Sequence, residues 1–315
     1  IYTGSVISTA VQFGVAIYGY NRIDLESHGQ QDKENYMLAD LHIHTTFSDG
    51  IYTPDELVAQ AAKVPLKAMA ITDHDNMQAY PVVRRLIEMQ HLPIILVRGV
   101  EIDTDYRGKD VHITGYHFNP DDRALRQALA WTRIGRVGRI HRIVEKINQM
   151  GYPLTLAEVK AEAGESKSLG RPHIARVLVK KGLFPSVNAV FDALIGAGKP
   201  AYCRQNKLSP KEAVSLLHGA GGIAVLAHPA EINHPDMVET LLSTVPFDGM
   251  EVWHPSVLKD KYIQVDWFAL AKSHHLLPSG GSDLHGNPGR FPQHLGEFKV
   301  EYEAVKGIVT AKGWE

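Results

Sequence analysis

From residue 37 onward, short apolar or β-branched runs that end in polar residues recur along the chain. They lie at 37–43 (MLADLHI), 67–72 (KAMAIT), 94–102 (IILVRGVEI), 110–118 (DVHITGYHF), 222–229 (GIAVLAHP), 248–255 (DGMEVWHP) and 277–283 (LPSGGSD). Their length and β-branched content predict strands. Helix-like segments sit between several of them. Thr53-Pro54-Asp55-Glu56 sets an N-cap threonine, a proline at the first helical position and a glutamate three residues after the cap, and Ser209-Pro210-Lys211-Glu212 repeats the device. Alternating strands and helices predict an α/β fold with a mainly parallel sheet, and seven strands favour a barrel over an open sheet.

The stretch 121–199 breaks this rhythm. It is helix-patterned throughout and rich in arginine, at 123, 126, 133, 136, 139, 142, 171 and 176. The expected organisation is therefore a barrel built from 37–120 and 200–315, with a mainly helical insertion at 121–199 capping its mouth. A solvated helix face accounts for most of the arginines. Residues 1–36 form an N-terminal extension of no predicted role. Their apolar start is interrupted by Thr3, Ser5, Ser8, Thr9 and Gln12, which fits neither a spanning helix nor a signal peptide.

Composition narrows the chemistry. At 315 residues and 44% hydrophobic the chain has ample material for a large core, and its net charge of -2 provides no global field toward nucleic acid or lipid. Membrane attachment and stable duplex DNA binding are not expected. One cysteine, Cys203, excludes a disulfide framework and a cysteine-rich metal site, and with the missing signal pattern it makes the cytoplasm the expected location. Histidine is the unusual count, at 17. Any metal must be held by imidazole and carboxylate.

Those residues cluster at the strand ends. Residues i and i+2 of a strand share a face, so His42 and His44 can converge on one ion. Asp49 follows closely; then come Asp73-His74-Asp75, Glu101, His112 and His117, His228, His254, and Asp283 with His285. Any one of these could be a packed histidine or a surface carboxylate. Active sites of α/β barrels gather at the C-terminal strand ends, and an unbroken series there points to a multinuclear metal site. Hard carboxylates with imidazole and no thiolate suit Mn²⁺, Zn²⁺ or Fe²⁺.

The motifs DLHIHTTFSDG (40–50), ITDHD (71–75), GVEI (99–102), DVHITGY (110–116), LAHP (226–229) and GGSDLHG (280–286) resemble, in order, those of the PHP (polymerase and histidinol phosphatase) family. LGRPHIARVLV (169–179), AGKPAY (197–202) and EVWHPS (251–256) resemble its nucleotide-acting branch of 3',5'-nucleoside bisphosphate phosphatases and 5'-3' RNA-trimming enzymes. The resemblance implies a distorted (β/α)7 barrel of the PHP type holding three divalent ions, with Mn²⁺ first in line. His42, His44, Glu101 and Asp283 would hold one ion. Glu101 would bridge to a second, completed by His112 and His228, and Asp49, His74 and His285 would hold the third. Asp49 stands where some relatives place a histidine. His117 is the rival to His112, and Asp73 and Asp75 would orient His74.

The implied activity is hydrolysis of a phosphate from a 3',5'-bisphosphate nucleotide such as adenosine 3',5'-bisphosphate (pAp), extending to 5'-to-3' trimming of short RNA. A hydroxide shared by the ions would attack phosphorus. Glu101, His254 and Arg171 are the expected catalytic residues, with His254 protonating the leaving oxygen or binding phosphate. Arg171 heads the candidates for the second phosphate, followed by Lys199, Arg136 and Arg139, with His294 and Arg290 behind them; His173 can be read simply as a helix start. The competing readings are a histidinol-phosphate phosphatase or other small phosphomonoesterase, an amidohydrolase, and an inactive metal-stabilised binding module. An arginine-rich insert is more than a small amino-alcohol phosphate needs, and Glu101 stands where amidohydrolases usually carry a modified lysine.

Overall fold

The computed structural model describes residues 37–164, 169–205, 207–258 and 265–313, together with a small antiparallel pairing of Ile17–Tyr18 with Asn21–Arg22. Apart from those four residues, the expectation for 1–36 lies outside the described residues. Eight strands form one sheet that bends almost into a closed barrel: β1 (Leu38–Ile43), β2 (Leu66–Ile71), β3 (Ile95–Tyr106), β4 (Lys109–Tyr116), β5 (Ile223–Leu226), β6 (Gly249–Trp253), β7 (Leu277–Gly280) and β8 (Val300–Glu301). Their order is β8-β1-β2-β3-β4-β5-β6-β7. Just past β7 the chain comes back against β1, where His44 N–H donates to Leu284 O at 3.0 Å. A Cβ on Gly281 would sit 2.5 Å from His42 N, so only glycine permits this closure. The architecture is the α/β barrel of the expected type, with a short eighth strand added antiparallel to β1.

The sheet is less parallel than the pattern predicts. β1, β2 and β3 run parallel, as do β5, β6 and β7, but β4 is antiparallel to both of its neighbours. The cause is local. β3 and β4 are joined by Arg107 (φ 52°) and Gly108 (φ 84°) alone, and positive φ at both central residues makes the tight hairpin whose twist matches that of the strands. A parallel return needs a crossover of about a dozen residues or more, and the gap between 102 and 110 has no room for one.

Both predicted capping boxes form, Thr53 with Glu56 at the head of α1 (Pro54–Ala61) and Ser209 with Glu212 at the head of a later helix, Pro210–Gly219. α2 (Ala79–Met89) follows β2. The helical stretch opens with α3 (Arg123–Gln149), whose first half packs Leu125 and Leu129 into the barrel core. Its second half contributes Ile140, Ile143 and Ile147 to a separate apolar cluster. That cluster also takes in α4 (Leu156–Ala163), α5 (Arg171–Lys180) and residues up to Cys203. Among the described residues, no helix is long and apolar enough to cross a membrane.

Candidate metal centre

Glu101, fully buried on β3, lies among five imidazoles drawn from four parts of the chain. His42 Nε2 is 3.5 Å from its Oε1, His44 Nε2 is 3.2 Å from Oε2, His74 Nδ1 is 2.9 Å from Oε2, and His112 Nδ1 and His228 Nε2 are 2.9 and 3.1 Å from Oε1. Asp283 Oδ1 approaches His44 Nε2 at 3.1 Å. Asp49 Oδ1 lies 3.2 Å from His285 Nε2 and 3.8 Å from His74 Nε2. The nine residues proposed as ligands thus converge on one end of the barrel.

The antiparallel β4 explains why His112 is among them. Reversal of this strand brings its start, not its end, to the mouth, so His112 pairs in register with Asp103 beside Glu101. His117, past the other end of β4, instead holds Ile308 O through Nε2 at 2.8 Å. Three of the residues with positive φ are Asp75 (50°), His228 (26°) and Asp283 (50°). Each such backbone costs about 1–3 kcal/mol and persists where surrounding structure holds it, which is common at functional sites.

The side chains are set up to present lone pairs to a cation. His42 Nδ1 is 3.2 Å from Glu251 Oε1, and His285 Nδ1 donates to Asp283 O at 2.9 Å; His44 Nδ1 is 3.3 Å from Ser48 Oγ. With Nδ1 anchored outward, Nε2 faces the cluster, the arrangement usual for metal-binding histidines. Buried atoms with no hydrogen-bond partner accumulate here: His42 Nε2, His44 Nε2, His74 Nδ1, Asp49 Oδ1, Glu101 Oε2 and Asp103 Oδ1. Several lie near one another, His74 Nδ1 and Glu101 Oε2 included, but at angles that make no hydrogen bond. Orphaned buried polar atoms cost about 1–3 kcal/mol each, and a cation satisfies them together. Three overlapping groups have metal-binding spacing: His42, His44 and Glu101; His74, Glu101 and His112; and His44, Asp49, His74 and His285. The donor set fits divalent ions. The partition differs from the one implied by resemblance, because His44 reaches the Asp49 group as well and His74 reaches Glu101.

The electrostatics follow. Burial opposes charge on His42 and His74, yet the neighbouring carboxylates, Glu251 and Glu101 for the first and Glu101 and Asp103 for the second, lift both well above the usual histidine range. His228 is lifted to about 9 against the same burial penalty, chiefly by its contact with Glu101. Burial likewise opposes charge on Glu101, Asp49 and Asp283, but imidazoles around the first two, and Arg290 then His285 beside the third, keep all three well below the carboxylate norm.

Other candidates fall elsewhere. Arg136, expected to bind substrate phosphate, is buried and committed to two carboxylates, with Nη2 2.7 Å from Asp75 Oδ2 and 3.0 Å from Asp103 Oδ2. It ties α3 to the metal centre rather than offering a free cation. Asp73 and Asp75 do not bond His74. Asp73 holds the loop carrying His44 and Asp49, accepting from Thr45 N–H (2.8 Å), Thr45 Oγ1 (2.7 Å) and Ser48 Oγ (2.5 Å). Lys199 is exposed, and exposed His294 sits against the Tyr52 hydroxyl at 2.7 Å, outside the cluster. Arg290 pairs with Asp283 Oδ2.

His173 does start a helix. It opens α5, where its Nδ1 accepts from Gly170 N–H at 2.9 Å, and burial, then the charge of Arg176, lowers its pKa to about 4. A histidine held neutral contributes stability that is complete above its unfolded value and lost as pH falls through its folded one. The window is therefore about 6.5 down to 4, and the loss is roughly 3 kcal/mol. Urea midpoints followed across that window should decline less steeply for His173→Gln, whose amide still accepts but does not titrate. Identical slopes in both proteins would remove His173 from this account.

Three further residues at the centre escaped the sequence reading. Asp103 Oδ1 lies 3.0 Å from His74 Nδ1 and 3.4 Å from His112 Nε2; Lys207 Nζ, almost wholly buried, is 3.4 Å from Asp103 Oδ2; Glu251 anchors His42 and accepts from His228 N–H at 2.8 Å. Asp103 was within reach of the period-two rule, two residues beyond Glu101 on the same face. Lys207 carries no such signal.

The PHP domain family matches residues 40–195. The 5'-3' exoribonuclease Rnm of Salmonella typhimurium is 33% identical over 256 residues, covering 80% of this chain and 86% of its own. This chain belongs to the PHP family. The 3',5'-nucleoside bisphosphate phosphatase of Chromobacterium violaceum is 31% identical over 265 residues, with 82% of this chain and 90% of that protein covered. A crystal structure described as a metal-dependent phosphoesterase of Bifidobacterium adolescentis superposes with a TM-score of 0.77 at 31% identity, over 87% of this chain and 96% of that one. As a PHP phosphoesterase the protein is a hydrolase of phosphate esters.

Proposed function

We propose that this PHP protein removes a phosphate from nucleotides that carry a second phosphate, pAp-like 3',5'-bisphosphates, and by the same geometry trims short RNA from its 5' end. The observation that carries this is an arginine pair beside the metal centre. One helical turn along α3 from Arg136, Arg139 is 4% exposed, gives its Nε–H to Cys203 O at 2.7 Å and leaves Nη2 with no partner. Its guanidinium stands 5.2 Å from the Tyr202 ring, and that of Arg171 stands 6.0 Å from the same ring. Burial, then repulsion from Arg171, lowers the Arg139 pKa to about 10. Two crowded guanidiniums with an unpaired N–H are suited to an anion. The substrates named for the exoribonuclease and bisphosphatase relatives each carry phosphate beyond the one being cleaved.

Divalent ions, when bound by His42, His44, Asp49, His74, Glu101, His112, His228, Asp283 and His285, supply Lewis-acid charge and acidify water to a pKa of about 7. Three ions, manganese first, belong to this reading. The chain's own residues do the rest. Arg139 and Arg171 hold the distal phosphate and so fix the reacting one over Glu101. His254 donates a hydrogen bond to the leaving or phosphoryl oxygen. Ser256 N–H donates to its Nδ1 at 3.1 Å, which places the ring proton on Nε2, and Nε2 has no partner and faces Asp283 Oδ2 at 3.7 Å.

Phosphate release from pAp, histidinol phosphate and p-nitrophenyl phosphate, at matched concentrations with Mn²⁺, tests the reading. Preference for pAp should be about a hundredfold, equivalent to about 2.7 kcal/mol. Arg171→Ala should raise KM for pAp roughly tenfold or more while barely changing KM for p-nitrophenyl phosphate. Equal effects on both substrates would place Arg171 outside the anion site, and flat rates across the panel would reject the two-phosphate substrate.

A further inference from the structure

A cavity of about 580 Å3 runs down the outer wall of the barrel between α2 and the first half of α3, and a shallower one of about 440 Å3 continues it along α3. It begins at the rim of the metal centre, because Asn76 and Met77 line it and directly follow Asp75. Arg133, also in its wall, donates through Nη1 to Asp75 O at 2.5 Å. The floor includes apolar Met77, Pro81 and Leu129 and the Tyr80 ring, over which Arg98 lies at 4.9 Å.

The walls are cationic in a chain whose net charge is only -2. Among the described residues that line it, Arg84, Arg85, Arg98, Arg123, Arg126 and Arg133 stand with two carboxylates, Glu88 and Asp121. Arg84 pairs with Glu88 and Arg126 with Asp121, but both pairs are exposed and such pairs exchange readily. Arg85 and Arg123 have no carboxylate partner among the described residues. Arg123, Arg126, Ala130 and Arg133 follow helical spacing, so their stripe covers about 15 Å of α3.

We propose that this groove is the track for single-stranded RNA on the 3' side of the bond being cut. The inference rests on the nucleotide phosphoesterase reading and names its macromolecular substrate. The order along α3 supports it: groove arginines first, then Arg136 pinned to the metal centre, then Arg139 at the distal-phosphate site. A mononucleotide held between the metal centre and the Arg139–Arg171 pair does not reach the groove. A longer strand does. An apolar floor takes base faces, an arginine wall takes phosphates, and planar guanidiniums serve both.

The test uses Arg85→Glu/Arg123→Glu/Arg126→Glu, all exposed and outside the metal centre, with the triple lysine substitution as its charge-preserving partner. Two readouts are kept separate: anisotropy of a fluorescein-labelled octaribonucleotide across about 50–200 mM salt, and Mn²⁺-supported phosphate release from pAp. The glutamate variant should bind RNA at least roughly tenfold more weakly, with a slope of log K against log salt shallower by about 2, three neutralised phosphates at about 0.7 each. Its pAp turnover should stay within about twofold of the parent, and the lysine variant should keep most of the RNA affinity. Unchanged RNA binding in the glutamate variant overturns the track, as does equal loss in the lysine variant. Wild-type protein that binds RNA through the groove but leaves pAp intact would instead reject the nucleotide-bisphosphate reading and keep the groove.

Discussion

Glu101→Gln should lower kcat for phosphate release by more than about a thousandfold, or about 4 kcal/mol of lost transition-state stabilisation. The substitution keeps the size of the side chain and removes its charge. Five imidazoles converge on this carboxylate, and its two oxygens face different members of the group. Glu101 also belongs to two of the three groups with metal-binding spacing, so a neutral amide weakens both together. Steady-state kinetics beside a far-ultraviolet circular dichroism spectrum checks the result. A loss under about tenfold in folded protein would mean that Glu101 does not join two ions.

Removal of metal should abolish turnover, lower the melting temperature by about 5 °C or more, and leave both recoverable with Mn²⁺. Without ions the buried pairs between protonated histidines and carboxylates hold the centre. For groups raised in the fold, such as His42, His74 and His228, that contribution is complete below about pH 6.5 and fades as pH climbs through the raised values, about 9 for His228. Loading requires the same histidines neutral. Metal affinity should therefore rise steadily from pH 6 to 9, and loading at neutral pH should release protons measurable in weakly buffered solution. Turnover undiminished in fully demetallated protein would defeat the metal-centre reading, and affinity independent of pH would defeat the histidine assignment.

Legibility varied with how local the cause was. The strands and both capping boxes could be read because each depends on neighbours a few positions apart. β4 shows where that reading needed one more step: its strand pattern was clear, while its direction lay in the shortness of the gap before it. The convergence of nine residues was readable as strand-end chemistry, since a barrel brings strand ends together whatever the details. Arg136 was misread for the opposite reason. In sequence it is one of eight arginines in a helical stretch, and nothing nearby in the chain marks Asp75 and Asp103 as its partners.

By itself the sequence determined the α/β class, the strand ends that carry chemistry, the imidazole–carboxylate donor set and the likeness to PHP phosphoesterases. Periodicity, capping and residue type are properties of short segments, and they survive being read one segment at a time. The motif likeness already favoured His112 over His117; tertiary structure supplied the reason, the reversal of β4, and decided that His44 and His74 are shared between donor groups. It also committed Arg136 to two acids, left an N–H of Arg139 unpaired, and brought Lys207 and Glu251 to the site. Each of these outcomes depends on the direction of a strand or on how one element packs against another. A carboxylate on β3 and a guanidinium on α3 have no relation until the chain folds, and once buried together neither can remain unpaired without a cost of several kcal/mol.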